Sequence, residues 1–203
     1  MSIFAKPVES DNSTGMKILF LHGLEGSPEG EKAVYLKEKW RAKVPALRTN
    51  VLHELKSKHG GIEWKEIPKP EFREALDKVY QDALSALNYE KPDVIIGSSM
   101  GGALLAKLII NDRWSGNSIF LAPAIQPFLG EIVLPEIRNS VWILGEMDDV
   151  VTNGPNICHC LRSGGSLTVV TSDGHRLHKA LSTGLIDNAI ATVVEISHLS
   201  SII

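Results

Sequence analysis

The sequence predicts a doubly wound α/β sheet of about six mostly parallel strands, with helices on both faces. Three observations lead to this prediction. Short apolar runs bounded by turn residues alternate with segments of helical periodicity. The runs are apolar at nearly every position, which is typical of parallel strands covered on both faces. The chain has 203 residues, 43% of them hydrophobic and 22% charged, which is typical of a globular protein with one sizeable core.

The predicted elements follow one another with little irregular sequence between them. Apolar runs predict six strands, at 17–21, 42–47, 93–96, 118–121, 141–144 and 167–170. Helical patterns lie between them, at 29–40, 71–87, 100–111, 155–162 and 181–198. The polar stretch Asn50–Pro70, interrupted by glycines and prolines, predicts a long irregular excursion. We expect a single domain over residues 16–203, preceded by a flexible segment at 1–15.

Charge and composition exclude several classes of function. Lysine and arginine number 21 and aspartate and glutamate 24, so the net charge of −3 disfavours nucleic acid and anionic membranes as partners. Apolar stretches are too short to span a bilayer, and residues 1–15 do not resemble a secretion signal. We therefore expect a cytoplasmic protein, a monomer or homodimer, that binds no nucleic acid and no membrane.

The two cysteines lie too close together for an unstrained mutual disulfide. Cys158 and Cys160 flank His159 in a predicted helix, and no second pair of cysteine or histidine ligands follows. We expect reduced thiols buried against the core and no metal site.

A glycine-rich turn after the third predicted strand carries the candidate nucleophile. The run Gly97-Ser98-Ser99-Met100-Gly101-Gly102 lies between a strand and a helix, which is the setting in which a G-x-S-x-G pattern predicts a nucleophile elbow. Such a turn lifts one hydroxyl, here that of Ser99, clear of the sheet. The amide of Met100 then lies where charge on an attacked carbonyl oxygen develops.

The loop after the first strand supplies a second candidate donor. It reads His22-Gly23-Leu24-Glu25-Gly26-Ser27, and Gly23 leaves the backbone free to present the Leu24 amide. We interpret His22 as a structural hydrogen-bonding residue beside the substrate.

Two later loops supply a candidate acid and a candidate base. Carboxylates follow the fifth strand, where Asp148 is the preferred orienting acid and Asp149 the second choice. Histidines follow the sixth strand, where His175 is the preferred general base because it lies in the loop, and His178 is the alternative. Each candidate follows a separate strand, and the carboxyl ends of parallel strands meet at one edge of a sheet.

These four loops, HGLEGS, GSSMGG, GEMDDVV and SDGHRL, resemble those of the α/β-hydrolase superfamily, over residues 17 to about 177. The short length is similar to that of small lidless bacterial serine esterases. The resemblance implies Ser99 as nucleophile, His175 as base, Asp148 as acid, and the Leu24 and Met100 amides as the oxyanion hole. It selects Asp148 because family members usually show Gly, two variable residues and then Asp.

The segment that carries a lid in many members of the superfamily is short here. Only residues 122–139 separate two strands, so we expect a minimal lid or none. Residues 122–129 and the excursion 50–70 are then the expected walls of an open acyl pocket. The candidate substrate contacts are His22, Gly23, Ser98, Ile125 and Phe128.

The sequence thus predicts a hydrolase that cleaves small-molecule esters without a cofactor. The same residues attack any activated carbonyl, so a thioester or amide substrate remains an alternative. A binding protein that has kept the fold but not the activity is the alternative from another class.

Overall fold

The protein is described from a computed structural model, which covers residues 15–137 and 139–200, with the backbone alone at 196–200. Its elements occur in the order β1 (Ile18–Leu21), α1 (Glu31–Trp40), α2 (Asn50–Lys58), α3 (Lys69–Glu90), β2 (Val94–Ser98), α4 (Met100–Ile110), β3 (Asn117–Leu121), α5 (Ile125–Leu129), β4 (Ser140–Gly145), α6 (Asn153–Ser163), β5 (Ser166–Val170), α7 (His178–Ser182) and α8 (Leu185–Ser200). A short 3₁₀ turn at Trp64–Glu66 lies between α2 and α3. The segment predicted to be flexible lies, up to residue 14, outside the described residues.

The strands form one parallel sheet with the spatial order β1-β2-β3-β4-β5. Side chains alternate between the two faces, so Ile18 and Phe20 pack in one apolar core and Leu19 and Leu21 in another. Helices α3 and α4 cover the second core, and α1 and α8 cover the first. The prediction of a doubly wound α/β sheet is confirmed.

The described sheet has five strands rather than the predicted six. Of the run at 42–47, only Lys43 pairs with β1, donating its amide to Ile18 and accepting one from Phe20. Pro45 follows two residues later and has no amide hydrogen to continue the ladder. The predicted strand is therefore reduced to a single bridge.

Two other expectations differ from the structure. The predicted excursion contains α2, because Leu52 and Leu55 are three residues apart and both are buried in the core. The helix predicted at 181–198 is instead two helices, α7 and α8. Gly184 separates them with φ +74°, a conformation that a helix does not contain.

No described helix is both long and apolar enough to cross a bilayer.

Candidate active site

Ser99 lies at the sharp turn between β2 and α4. Its backbone has φ +54° and ψ −119°, a conformation that costs energy for a residue with a side chain. The turn is held in place because the Ser99 amide donates to Leu121 and the Ser99 carbonyl accepts from Ala124. The hydroxyl therefore has a fixed position above the carboxyl end of β2.

Close packing beneath the turn requires glycine. A Cβ on Gly101 would lie 1.9 Å from the Leu21 carbonyl oxygen at the end of β1. A Cβ on Gly97 would lie 2.6 Å from the Gly101 carbonyl oxygen. Because these contacts involve backbone atoms, a side chain at either position would push the first turn of α4 away from the sheet.

A chain of hydrogen bonds joins the three candidate catalytic side chains. The Ser99 Oγ lies 2.8 Å from His175 Nε2, and His175 Nδ1 lies 2.8 Å from Asp148 Oδ2. With the proton on Nδ1 donated to the carboxylate, Nε2 is the acceptor for the serine hydroxyl. This is the arrangement that a general base needs in order to deprotonate a nucleophile.

The carboxylate of Asp148 is held in its charged form. Its side chain is 1% exposed, and burial raises its pKa, but the hydrogen bond from His175 and those from the Val151 and Val150 amides more than offset this effect. The net result is a pKa below the usual aspartate value. The group therefore stays ionised at neutral pH and faces the imidazole as an anion.

Asp173 fixes the loop that carries His175, and the sequence analysis did not single it out. It is 5% exposed, and its side chain accepts the amides of Gly174 and Ala180. Its carbonyl oxygen accepts the Met147 amide, which links this loop to the loop of Asp148. The signal in the sequence was an aspartate two residues before the histidine in a turn with glycine, a position where a carboxylate commonly caps backbone amides.

The two candidate oxyanion donors are free. Within the described residues, neither the Leu24 amide nor the Met100 amide donates a hydrogen bond. The Met100 amide belongs to the first turn of α4, where amides have no partner inside the helix. Gly23 brings the neighbouring loop close, since a Cβ there would lie 3.1 Å from Ser99 Cβ.

The remaining candidate substrate contacts are mostly buried. His22 and Ser98 are 3% and 5% exposed, Ile125 is fully buried and Phe128 is 8% exposed. His22 Nδ1 donates to the Gly23 carbonyl oxygen at 2.9 Å, and burial lowers the pKa of the imidazole. These side chains lie beneath the candidate site, so their direct contact with substrate remains a prediction.

The alternative acid and base lie apart from the hydrogen-bond chain. Asp149 is exposed, and no described contact joins it to His175. His178 begins α7 and pairs with Glu31 at 3.0 Å on the surface. The structure therefore brings together the preferred member of each pair.

The expected pocket walls close on each other. The rings of Trp64, Phe72 and Phe128 lie 5.9 to 6.2 Å apart and join the excursion, α3 and α5 in one aromatic cluster. Two surface cavities of about 540 and 520 Å³ are present, and neither is lined by Ser99 or His175. The two expected walls are thus in contact with each other through Trp64 and Phe128.

The cysteine expectation needs one correction. Both residues lie in α6 as free thiols, but only Cys160 is buried, whereas Cys158 is exposed. Burial raises the pKa of the Cys160 thiol to about 11. Across the described residues, no group of three or more histidine, cysteine, aspartate or glutamate side chains forms a metal site.

Solved structures of hydrolases with an α/β fold are similar to this one. Est1E from Butyrivibrio proteoclasticus is 13% identical, with 92% of this chain and 88% of that one covered and a TM-score of 0.60. A Bacillus cereus carboxylesterase is 17% identical over 87% of this chain and 90% of that one, with a TM-score of 0.58. An α/β serine hydrolase homologue from Coxiella burnetii is 13% identical over 89% and 84%, with a TM-score of 0.57.

Within that fold, the chain belongs to the uncharacterised protein family UPF0227, whose model matches residues 17–139. The match spans more than half of the chain and includes the loop of Leu24 and the turn of Ser99. It ends before Asp148 and His175. No curated protein matches the sequence.

Proposed function

We propose that the protein is a serine hydrolase that cleaves carboxylic esters with small to medium acyl groups. The observation that carries the proposal is the hydrogen-bond chain from Ser99 through His175 to Asp148, with 2.8 Å at both links. Three polar side chains from loops after three different strands meet in this chain. A serine that merely caps a helix needs neither partner.

The proposed reaction proceeds in two steps. His175 removes the proton from Ser99 Oγ as the oxygen attacks the ester carbonyl, and the imidazolium then protonates the leaving alcohol. The amides of Leu24 and Met100 donate to the oxyanion that forms on the carbonyl oxygen. In the second step His175 activates a water molecule, which releases the acid and regenerates the serine. The mechanism uses no cofactor.

The packing of the expected acyl-pocket walls favours the smaller acyl groups in this range. Ile125 and Phe128 are buried, and Phe128 packs on Trp64 and Phe72, so the two walls are in contact with each other. Long acyl chains would require this aromatic cluster to open. We therefore expect p-nitrophenyl acetate and butyrate to be better substrates than the octanoate.

The test is hydrolysis of these three esters by wild type, Ser99→Ala and Ser57→Ala, with folding checked by circular dichroism. Ser57 is an exposed serine in the last turn of α2, so its variant is a matched control. We expect Ser99→Ala to lose at least about 10³-fold in kcat/KM and Ser57→Ala to keep wild-type rates. Equal rates for folded wild type and Ser99→Ala would refute the mechanism.

Covalent labelling separates a wrong substrate from a missing nucleophile. An organophosphonate that carries a fluoride leaving group should add to wild type at Ser99 and not to Ser99→Ala, as read by peptide mass spectrometry. Labelling at Ser99 without turnover of any of the three esters would direct the search to thioesters and amides. A folded wild type that is neither labelled nor active would support the binding-protein alternative.

A further inference from the structure

A groove separate from the candidate triad runs between α6 and the segment 126–133. Its volume is about 520 Å³, which is within the range of small-molecule sites. One wall is a face of α6 with the spacing expected of a helix, formed by Pro155, Cys158, His159 and Arg162. We call this cavity the α6 groove.

One side chain of this groove has ring nitrogens available to a ligand. His159 is 8% exposed, and within the described residues its side chain makes no hydrogen bond or ion pair. Its ring nitrogens are not among the fully buried, unpaired side-chain atoms of the described residues, so they are reached from the groove. A polar group of a molecule in the α6 groove can therefore hydrogen-bond to them.

The charge next to this imidazole is positive. Arg162 lines the groove one helical turn after His159, is exposed, and forms no ion pair within the described residues. Burial lowers the pKa of His159, and Arg162 lowers it further. Glu131 also lines the groove but does not contribute to this shift. A ligand group that meets His159 therefore lies close to the Arg162 guanidinium, in a groove that Glu131 also lines.

Part of the opposite wall of the α6 groove is apolar. Val133 is 73% exposed, and Ile132 is its neighbour in the chain. Pro155 of α6 also lines the groove. An alkyl chain on this wall would remove apolar surface from water, at roughly 25 cal/mol per Å² of area buried.

We propose that the α6 groove binds an amphiphilic organic anion, with its carboxylate against Arg162 and His159 and its alkyl chain against Ile132, Val133 and Pro155. Arg162 supplies a charge-assisted hydrogen bond, and the imidazole N–H of His159 donates a second one. The site requires neither Ser99 nor turnover.

The thiol of Cys158 provides a direct readout of occupancy. It is exposed and lines the groove, whereas Cys160 on the same helix is buried, which raises the pKa of its thiol to about 11. We would measure the rate of Cys158 alkylation by iodoacetamide, by peptide mass spectrometry, with hexanoate or its uncharged analogue 1-hexanol present. Hexanoate should slow alkylation at lower concentration than hexanol, and Cys160 should stay unmodified in both.

Variants of the two rim charges test which charge the ligand needs. Arg162→Gln should raise the concentration of hexanoate required for protection by about tenfold, whereas Arg162→Lys should retain most of the protection. Glu131→Gln, the matched control, should leave protection equal or improved. Equal protection by hexanoate and hexanol, protection by neither, or a loss in Glu131→Gln as large as in Arg162→Gln would each overturn the proposal.

The anion bound in the α6 groove is either one end of the ester substrate or a separate ligand, and ester hydrolysis distinguishes these two cases. If it is the distal end of the substrate, Arg162→Gln should raise KM for the mono-p-nitrophenyl ester of a dicarboxylic acid and leave p-nitrophenyl butyrate unchanged. If it is a separate ligand, both esters should be unaffected while protection of Cys158 is still lost. Protection of Cys158 from alkylation is measured without ester hydrolysis. A protein that is inactive on all esters would therefore count against the proposed function and leave the test of the α6 groove unaffected.

Discussion

The side chain of Asp148 shows how neighbouring identical residues acquire different environments. It accepts hydrogen bonds from His175 and from two backbone amides, and its side chain is 1% exposed, whereas Asp149 next to it is exposed. Burial of the carboxylate raises its pKa, but the hydrogen bonds that it accepts lower the pKa by more, so the net shift is downward. Its charge is therefore available to stabilise an imidazolium at His175.

Replacement of Asp148 by asparagine should lower activity far more than stability. An asparagine amide facing Nδ1 favours the wrong tautomer of His175, so we expect kcat to fall by about 10³- to 10⁴-fold. Asp149→Asn is the matched control and should stay within about threefold of wild type. Steady-state kinetics on p-nitrophenyl butyrate measures both. Comparable losses in the two variants would show that Asp148 has no special part in the reaction.

Helix α4 packs directly against the carboxyl end of strand β1. A Cβ on Gly101 would lie 1.9 Å from the Leu21 carbonyl oxygen, so the helix approaches the sheet as closely as its backbone permits. Other helices are joined to each other through polar groups. Asp187 of α8 accepts hydrogen bonds from Tyr35, Lys39 and Trp40, and so holds α1 beside it.

Gly101→Ala should destabilise the fold severely. The added methyl group meets the backbone of Leu21 and His22, so we expect a loss of at least about 3 kcal/mol in the free energy of unfolding, or insoluble protein. Gly154→Ala is the matched control, because a Cβ at Gly154 meets nothing within 4 Å. Urea denaturation of both variants measures the difference, and a Gly101→Ala protein as stable as Gly154→Ala would contradict the close approach.

Asp187→Ala should weaken the joint between α1 and α8. The variant loses the three hydrogen bonds that the carboxylate accepts, so the free energy of unfolding should fall by about 2 to 3 kcal/mol at pH 7. The control is Glu29→Ala, at an exposed ion pair with Lys37, which should cost less than about 0.5 kcal/mol. Burial raises the pKa of Asp187, but hydrogen bonds from Lys39, Tyr35 and Trp40 lower it below the usual value.

The sign of this shift fixes the pH range of the Asp187 effect. Because the folded-state pKa lies below that of the unfolded chain, the contribution from ionisation is fully present above about pH 4 and is lost as the pH falls through the folded value. Chemical denaturation between pH 7 and pH 3 should therefore show the gap between wild type and Asp187→Ala narrowing on the acid side. A gap that widened there would contradict the assigned direction.

The whole molecule is a sheet protected at its centre and open at one edge. Strands β2 and β3 are covered on both faces, and Phe120 of β3 stacks on Trp142 of β4 with ring centroids 4.0 Å apart. The outer strand β5 is different, because Ser166, Thr168 and Val169 are exposed. The candidate triad draws its three loops from the ends of β2, β4 and this outer strand, β5.

Native-state hydrogen exchange should reflect this gradient. We expect amides of β2 and β3 to exchange only on global unfolding, and those of β5 and of the 3₁₀ turn at Trp64–Glu66 to exchange through smaller openings. Exchange measured by mass spectrometry on peptides that span each strand tests this expectation. Equal protection of β3 and β5 would mean that the sheet opens only as one unit.

The sequence by itself determined the fold class, the turn of Ser99 and the two loops that supply its partners. These features depend on hydrophobic periodicity and on glycine, serine, aspartate and histidine residues that lie within a few residues of a strand end. It did not determine that the run at 42–47 pairs through Lys43 alone, or that 50–58 is helical, since both depend on packing against β1 and α3. The tertiary structure alone decided that Phe128 packs on Trp64 and Phe72, and that Cys158 faces solvent while Cys160 does not. The physical reason is the same in each case: a local pattern specifies the backbone, whereas burial and pairing of a side chain depend on residues far away in the sequence.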